Sequence, residues 1–250
     1  MKEKIKQLAN TRQFHICMVL VIIFAILFIA GIISLKYNVE GEGNPPFNLS
    51  KISIISNIDG TDTEDTENKW NLEVNQNNDI YLYIKKNENY KYTETISSVV
   101  INNFNIVKSP SVGQLKLFKP DVDVENVIFI SSSENETNSI EYEGDINSNI
   151  KNMKISNQGG IVVFRYAITG IGNYISNDDG EINHNELLKK LSVNYDDLKF
   201  EVSFDININL DSKKSYKANM KLELPIGNIV DDGIQSKENT DLENIIFKRI

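Results

Sequence analysis

The chain has 250 residues, with 26 Lys and Arg against 35 Asp and Glu, a net charge of −9 at neutral pH, and one cysteine. Beyond residue 35 the balance is 22 basic to 34 acidic residues, net −12; so acidic a surface is expected to repel nucleic acid and anionic lipid headgroups, which leaves nucleic-acid binding without an electrostatic footing. Cys17 has no second thiol to pair with, so a folded domain here must rest on burial alone, for which about 200 residues are ample.

Residues 1–13 form a basic tail, with Lys2, Lys4, Lys6 and Arg12 against Glu3. Residues 14–35, FHICMVLVIIFAILFIAGIISL, hold no Asp, Glu, Lys or Arg. The stretch 16–35, at about 1.5 Å per residue, makes a helix of roughly 30 Å, the thickness of a bilayer's hydrocarbon core. A transmembrane helix over residues 14–35 is therefore predicted, with the bilayer as its partner. The excess of Lys and Arg before it places the N-terminus in the cytoplasm and residues 36–250 outside. A cleaved secretory signal would have a shorter apolar region and a small-x-small site; Ala30 and Gly31 are followed by more large apolar residues, so an uncleaved signal-anchor is expected. A lipoprotein is excluded because Cys17 starts the apolar run instead of ending it. No pilin-type Gly-Phe processing site precedes the run.

Residues 36–48, KYNVEGEGNPPFN, read as a stalk. After them the pattern turns to period two. Candidate strands are 51–57, ended by Asp59-Gly60, then 70–76 and 79–85, paired through a turn at Asn77-Asn78. Further candidates are 95–107, 113–118, 126–131, 139–143, 149–155 and 161–169. The clearest signal is 198–210, where Leu198, Phe200, Val202, Phe204, Ile206, Ile208 and Leu210 alternate with polar residues. It is followed by DSKKS and a second alternating run, 216–224, predicting a long antiparallel hairpin with one face buried. A short helix is expected after Asn183, with Glu186 completing a capping box and Leu187, Leu188 and Leu191 on its apolar side. Residues 228–240 read as loose, and 244–250 as a last strand. Many short strands with turn residues between them predict an all-β fold over residues 49–250. Its expected form is an antiparallel β-sandwich, immunoglobulin-like or similar.

The most chemical-looking stretch is 175–186, ISNDDGEINHNE. With Gly180 at the sixth position of a calcium loop, Asn177, Asp179 and Glu186 fall at the third, fifth and twelfth. The first position holds Ile175 instead of an acid, and the segment before it does not read as a helix. These three residues are weak metal candidates, and the expectation is a polar turn with no metal or other cofactor. The acids Asp121, Asp123 and Glu125, and those at 59–65, have no ligand spacing. Gly170-Ile171-Gly172 lacks the third glycine of a dinucleotide site and suggests a bulge. Arg165 interrupts 161–168, where both faces are otherwise apolar, and so requires a carboxylate partner or a route to water. Catalytic equipment is sparse: His184 is the sole histidine beyond the apolar run, and no nucleophile–base motif occurs. Because the chain holds 33 Asn and 36 Ile, a bias that AT-rich coding produces, its Asn-x-Ser/Thr triplets carry no weight.

WNLEVNQNNDIYLYI (70–84), SNIKNMKISNQGGIVVFRYA (148–167) and EVSFDININL (201–210) resemble segments of uncharacterised single-pass membrane proteins from AT-rich Gram-positive bacteria. That resemblance implies a cell-surface setting and carries no activity, ligand or site. The sequence thus leads us to expect a membrane-anchored, non-enzymatic surface domain whose partner is an envelope protein or cell-wall material. A calcium-binding adhesion module and a carboxylate-dependent cell-wall hydrolase are the alternatives.

Overall fold

The computed structural model describes residues 12–39, 44–63, 69–121, 128–129, 136–177, 180–242 and 244–250. A single long helix, α1 (Arg12–Val39), contains the apolar segment Phe14–Leu35. That segment has a mean hydropathy of 3.4, and none of it is buried in the protein. The helix runs past Leu35, so it takes 36–39 of the expected stalk and the next element takes 47–48. That element is β1 (Phe47–Asp62), followed by β2 (Asn71–Lys86), β3 (Ile96–Lys108), β4 (Gln114–Phe118), β5 (Ile140–Asp145), β6 (Lys154–Ser156) and β7 (Gly159–Ile175). A 3-10 turn at His184–Glu186 leads into α2 (Leu187–Lys190) and α3 (Tyr195–Leu198). The hairpin β8 (Phe200–Leu210) and β9 (Ser215–Leu224) comes next, then α4 (Ile229–Asp232), β10 (Ile234–Asn239) and β11 (Lys248–Arg249).

The strands form two sheets, ordered β10-β1-β2-β7-β4 and β11-β9-β8-β3-β5-β6. Every pairing is antiparallel except β5 with β6, which is parallel, so the sandwich is nearly but not wholly antiparallel. Its core is where the alternation directs it. Ile52, Ile54, Leu82, Val162, Phe164 and Ile168 from the first sheet meet Val99, Ile101, Val202, Phe204, Ile206 and Ile208 from the second. Each such side chain contributes about 1.5–3 kcal/mol on burial. At the centre the Phe164 and Phe204 rings meet edge to face at 5.1 Å, flanked by Phe104 and Tyr166. This geometry adds about 0.5–1.5 kcal/mol per pair beyond area. The expected hairpin is present, with Phe200 opposite Leu224 and Asn209 opposite Ser215. Leu198 belongs to α3 instead of the strand.

β1 runs through Asp59-Gly60 instead of ending there, and the expected strand 244–250 is only β11. Three further departures from the sequence reading have physical causes. First, the expected turn at Asn77-Asn78 does not form: β2 runs unbroken from Asn71 to Lys86, with Asn75, Gln76, Asn77 and Asn78 all buried. Gln76 and Asn78 sit on the core side and satisfy one another. Asn78 Nδ2 donates to Gln76 Oε1 (2.9 Å), and Ser56 Oγ donates to Asn78 Oδ1 (2.6 Å). Second, 228–240 is not loose: β10 adds antiparallel to the outer edge of β1, its side chains mostly in water, which is why no apolar alternation marks it. Third, 149–155 is a turn with only Lys154–Ser156 as strand, while 126–131, apart from Ile128 and Phe129, lies outside the described residues. Gly170 does form a bulge. Its φ of +63° sits where the β2–β7 register slips, and its N–H donates to Asn75 Oδ1 at 2.9 Å.

Beyond the end of β4, Val163 would present an unpaired backbone edge. The Tyr142 hydroxyl, reaching over from β5, donates to Val163 O (2.9 Å) and accepts from Val163 N (3.2 Å). One phenol thus closes the ladder and ties the two sheets together. Burial raises the pKa of that hydroxyl, which keeps it protonated.

Candidate functional site

The segment 175–186 is built around Trp70 and His184. Ser176 exchanges hydrogen bonds with Trp70, its hydroxyl accepting from Trp70 N (2.8 Å) and its own N–H donating to Trp70 O (3.0 Å). The indole Nε1 donates to Gly180 O at 2.9 Å. His184 Nδ1 accepts from Gly60 N at 3.1 Å and lies 3.2 Å from Asp59 Oδ1. Of the metal candidates, Asn177 is exposed just after β7 and Glu186 is exposed in the 3-10 turn, while Asp179 lies outside the described residues. Asn183 caps the turn by accepting from Asn185 N at 3.2 Å. The reciprocal carboxylate contact of a capping box, expected from Glu186, is found instead at the start of α3, where Asp197 accepts from Asn194 N. The segment entering the loop is β7, a strand, so the helix–loop–helix frame of a calcium hand is not built here. Among the described residues no three His, Cys, Asp or Glu side chains come close enough to hold a metal.

Arg165 has found its carboxylate. Its Nε and Nη2 donate to Asp79 Oδ1 (2.5 Å) and Oδ2 (2.9 Å), and its guanidinium lies 4.5 Å from the Phe129 ring centre. The pair is 11% and 14% exposed. It sits within a small second core on the outer face of the first sheet, with Phe118, Val163 and Ala167. This is a structural ion pair under an aromatic cover.

Among the described residues, one concavity lies where β9 and β10 bring the open sides of the two sheets together. A cleft of about 440 Å³ runs past Phe200, Glu201, Glu223 and Ile226, rimmed by Lys108, Lys199 and Lys237. A neighbouring hollow of about 320 Å³ shares Glu223, Ile226 and Lys237 and is floored by Ile52, Ile54 and Leu222. Tyr195 braces one wall, its hydroxyl donating to Pro225 O at 3.2 Å. Asp196 holds Lys199 in an ion pair at 2.6 Å, and that hydrogen bond raises the lysine's pKa. Glu201 and Glu223 are direct partners across the β8–β9 ladder, and Lys221 pairs with Glu201. Like charges in that relation repel, and the lysine offsets the repulsion. The arrangement offers an apolar floor with a mixed but lysine-rich rim, suited to an extended amphipathic segment.

Sequence reasoning did not single out Glu201 or Glu223. Both occupy the solvent-side positions of the hairpin, where a carboxylate needs no explanation, and only the approach of β10 turns that face into a wall.

The fold and site define a chain with one exposed apolar helix and one β-sandwich that carries an edge cleft. Comparison with protein-family models, with curated proteins and with solved structures gives no match.

Proposed function

We propose that this chain is a membrane-anchored, non-catalytic surface domain that works in envelope interaction or assembly, in the manner of the uncharacterised single-pass proteins it resembles. The N-terminus lies in the cytoplasm and the sandwich outside. The observation that carries this reading is the helix segment Phe14–Leu35, long and apolar enough to cross a bilayer and wholly exposed on the protein. An exposed apolar surface of that extent has no stable place in water. The basic residues of the tail support the orientation. The edge cleft is the surface for the partner, an envelope protein or cell-wall polymer.

The test has two arms. Full-length protein should remain in the membrane fraction through a carbonate wash, and the sandwich should be cut by protease added to intact cells. A mature form in the medium, beginning after Gly31, would overturn the anchor.

A second reading has a specific observation behind it. Glu201 and Glu223 are direct partners across one ladder at the cleft, which brings to one concavity the pair of carboxylates that glycoside hydrolysis uses. If the chain is a hydrolase, purified protein will cleave cell-wall polysaccharide, and Glu201→Gln and Glu223→Gln will each abolish cleavage. The ion pair of Glu201 with Lys221 weighs against this reading, because a general acid must hold a proton.

A further inference from the structure

We infer that one pole of the sandwich rests on the membrane surface and recognises anionic lipid headgroups; this builds on the anchored reading above. Chain continuity places that pole. Residues 39–44 step from the end of α1 to the domain and reach at most about 18 Å. Asn44 is held by the loop after β2: its Nδ2 donates to Asn89 O (3.0 Å), and it accepts from Asn87 Nδ2 (2.6 Å). Asn87 N donates to Pro46 O at 2.9 Å, so residues 44–46 and 87–89 move as one. At the other end of the chain, β11 touches α1.

The chemistry gathered at this pole is that of a bilayer interface. Lys214, in the β8–β9 turn, donates to Tyr90 Oη (3.3 Å) and to Glu94 Oε1 (2.6 Å), and Ile250 N donates to Ser215 O at 3.0 Å. The loop, the turn and β11 thus form one surface. Lys91, Lys213 and Arg249 are exposed there and Lys248 half-buried, and none of the four forms an ion pair among the described residues. Of the acids, Glu94 is paired with Lys214 and also feels the charge of Arg249, Asp205 is engaged by Lys217, Glu88 by Lys85, and Asp211 by the Thr95 hydroxyl. Tyr92 is 70% exposed with its ring against Tyr90, and Ile246 and Ile250 are 51% and 67% exposed. Cations beside the exposed Tyr92, Ile246 and Ile250, on a chain of net charge −9, match the chemistry of an anionic headgroup layer. The opposite pole is far off: the 16 residues of β1 carry the chain about 50 Å outward, to the end where Trp70 lies.

The experiment uses the full chain in nanodiscs, with Cys17→Ser and a fluorophore on Thr93→Cys, an exposed position within the patch. Discs of neutral lipid are compared with discs containing anionic lipid, and both carry a headgroup-attached quencher. We expect strong quenching at residue 93 in anionic discs and much weaker quenching in neutral ones. The sole tryptophan, Trp70, should be unquenched in both. Removing two cations with Lys213→Ala and Arg249→Ala should lower the docked-to-free ratio about twenty-five-fold, from about fivefold per charge near a surface. Quenching at residue 93 that is absent, or that ignores both lipid charge and these substitutions, overturns the proposal. Failure of the protein to load into discs at all would instead overturn the anchor on which it rests.

Discussion

Arg165 and Asp79 are joined by two hydrogen bonds across neighbouring strands, beneath Phe129. Removing one member strands the other charge in a nearly dry site. Arg165→Met should therefore cost about 3–5 kcal/mol in denaturant unfolding, and adding Asp79→Leu should restore much of the loss. If both variants unfold alike, the pair is not coupled. Glu94 offers a pH test. Burial pushes its pKa up, but hydrogen bonds from Lys214 and Ser212 outweigh that, and the net effect is a lowered value. Asp205 behaves likewise, through Asn103, Asn219 and Lys217. A carboxyl whose folded pKa is depressed stabilises fully above its unfolded value, about 4, and loses that contribution as pH falls through the lower folded one. Urea midpoints measured from pH 6 to 3 should drop across that window, and Glu94→Gln should make the drop shallower. The need of Arg165 for a carboxylate could be read from two apolar faces around one charge. Which carboxylate could not, because Asp79 is 86 residues away and nothing local marks it.

Among the elements, β2 carries the sharpest expectation. Asn78 links Ser56, Gln76 and the Tyr166 carbonyl inside the core. Asn78→Ala removes these bonds, and although Ser56 Oγ still accepts from Ile226 N and Gln76 Nε2 still donates to Asn77 O, it should cost about 1–3 kcal/mol, well beyond what an exposed Asn→Ala does. The hairpin gives a paired test. Phe204, fully buried mid-strand, should not tolerate a charge, so Phe204→Asp should abolish the melting transition. Asn207 is not simply in water, because its Nδ2 donates to Asn102 Oδ1 at 3.0 Å, so Asn207→Asp should cost about 1 kcal/mol instead of nothing. Strict alternation made β8 and β9 plain in the sequence, since burial of one face imposes a period of two. The same logic hid β2, where four consecutive polar residues imitate a turn unless their mutual hydrogen bonds are known. It hid β10 as well, because an edge strand with wet side chains leaves no apolar trace. The cleft inherits that blindness: its walls come from strands distant in sequence, one of them unmarked.

For the molecule as a whole, folding should be independent of calcium. The segment entering the loop is a strand, Ile175 stands where the first calcium ligand would be, and Trp70 and His184 hydrogen-bond Gly180 O and Gly60 N. Melting of the full chain in nanodiscs should shift by no more than a degree or two between excess chelator and about ten millimolar calcium, a concentration above the weak range of extracellular sites. A large rise in calcium, cancelled by Asp179→Ala or Glu186→Ala, would make that loop the principal site after all. Class and overall layout were legible at this scale because one uncharged run and one repeated alternation suffice to separate a long apolar helix from a sandwich. Sheet order was not, since it is decided by long-range pairings such as β1 with β10.

The strand that follows α1 has a mechanical meaning. β1 runs the length of the domain and is laced on one side to β2 and on the other to β10. If the chain is anchored as proposed, a tug between the membrane and whatever grips the far pole is directed along its axis, at right angles to its backbone hydrogen bonds. The bonds then share the load in shear instead of opening one at a time. Pulled between its anchor and its tip, the domain should resist like a stitched seam loaded along its length, at forces well above those needed to peel the same ladder from its end.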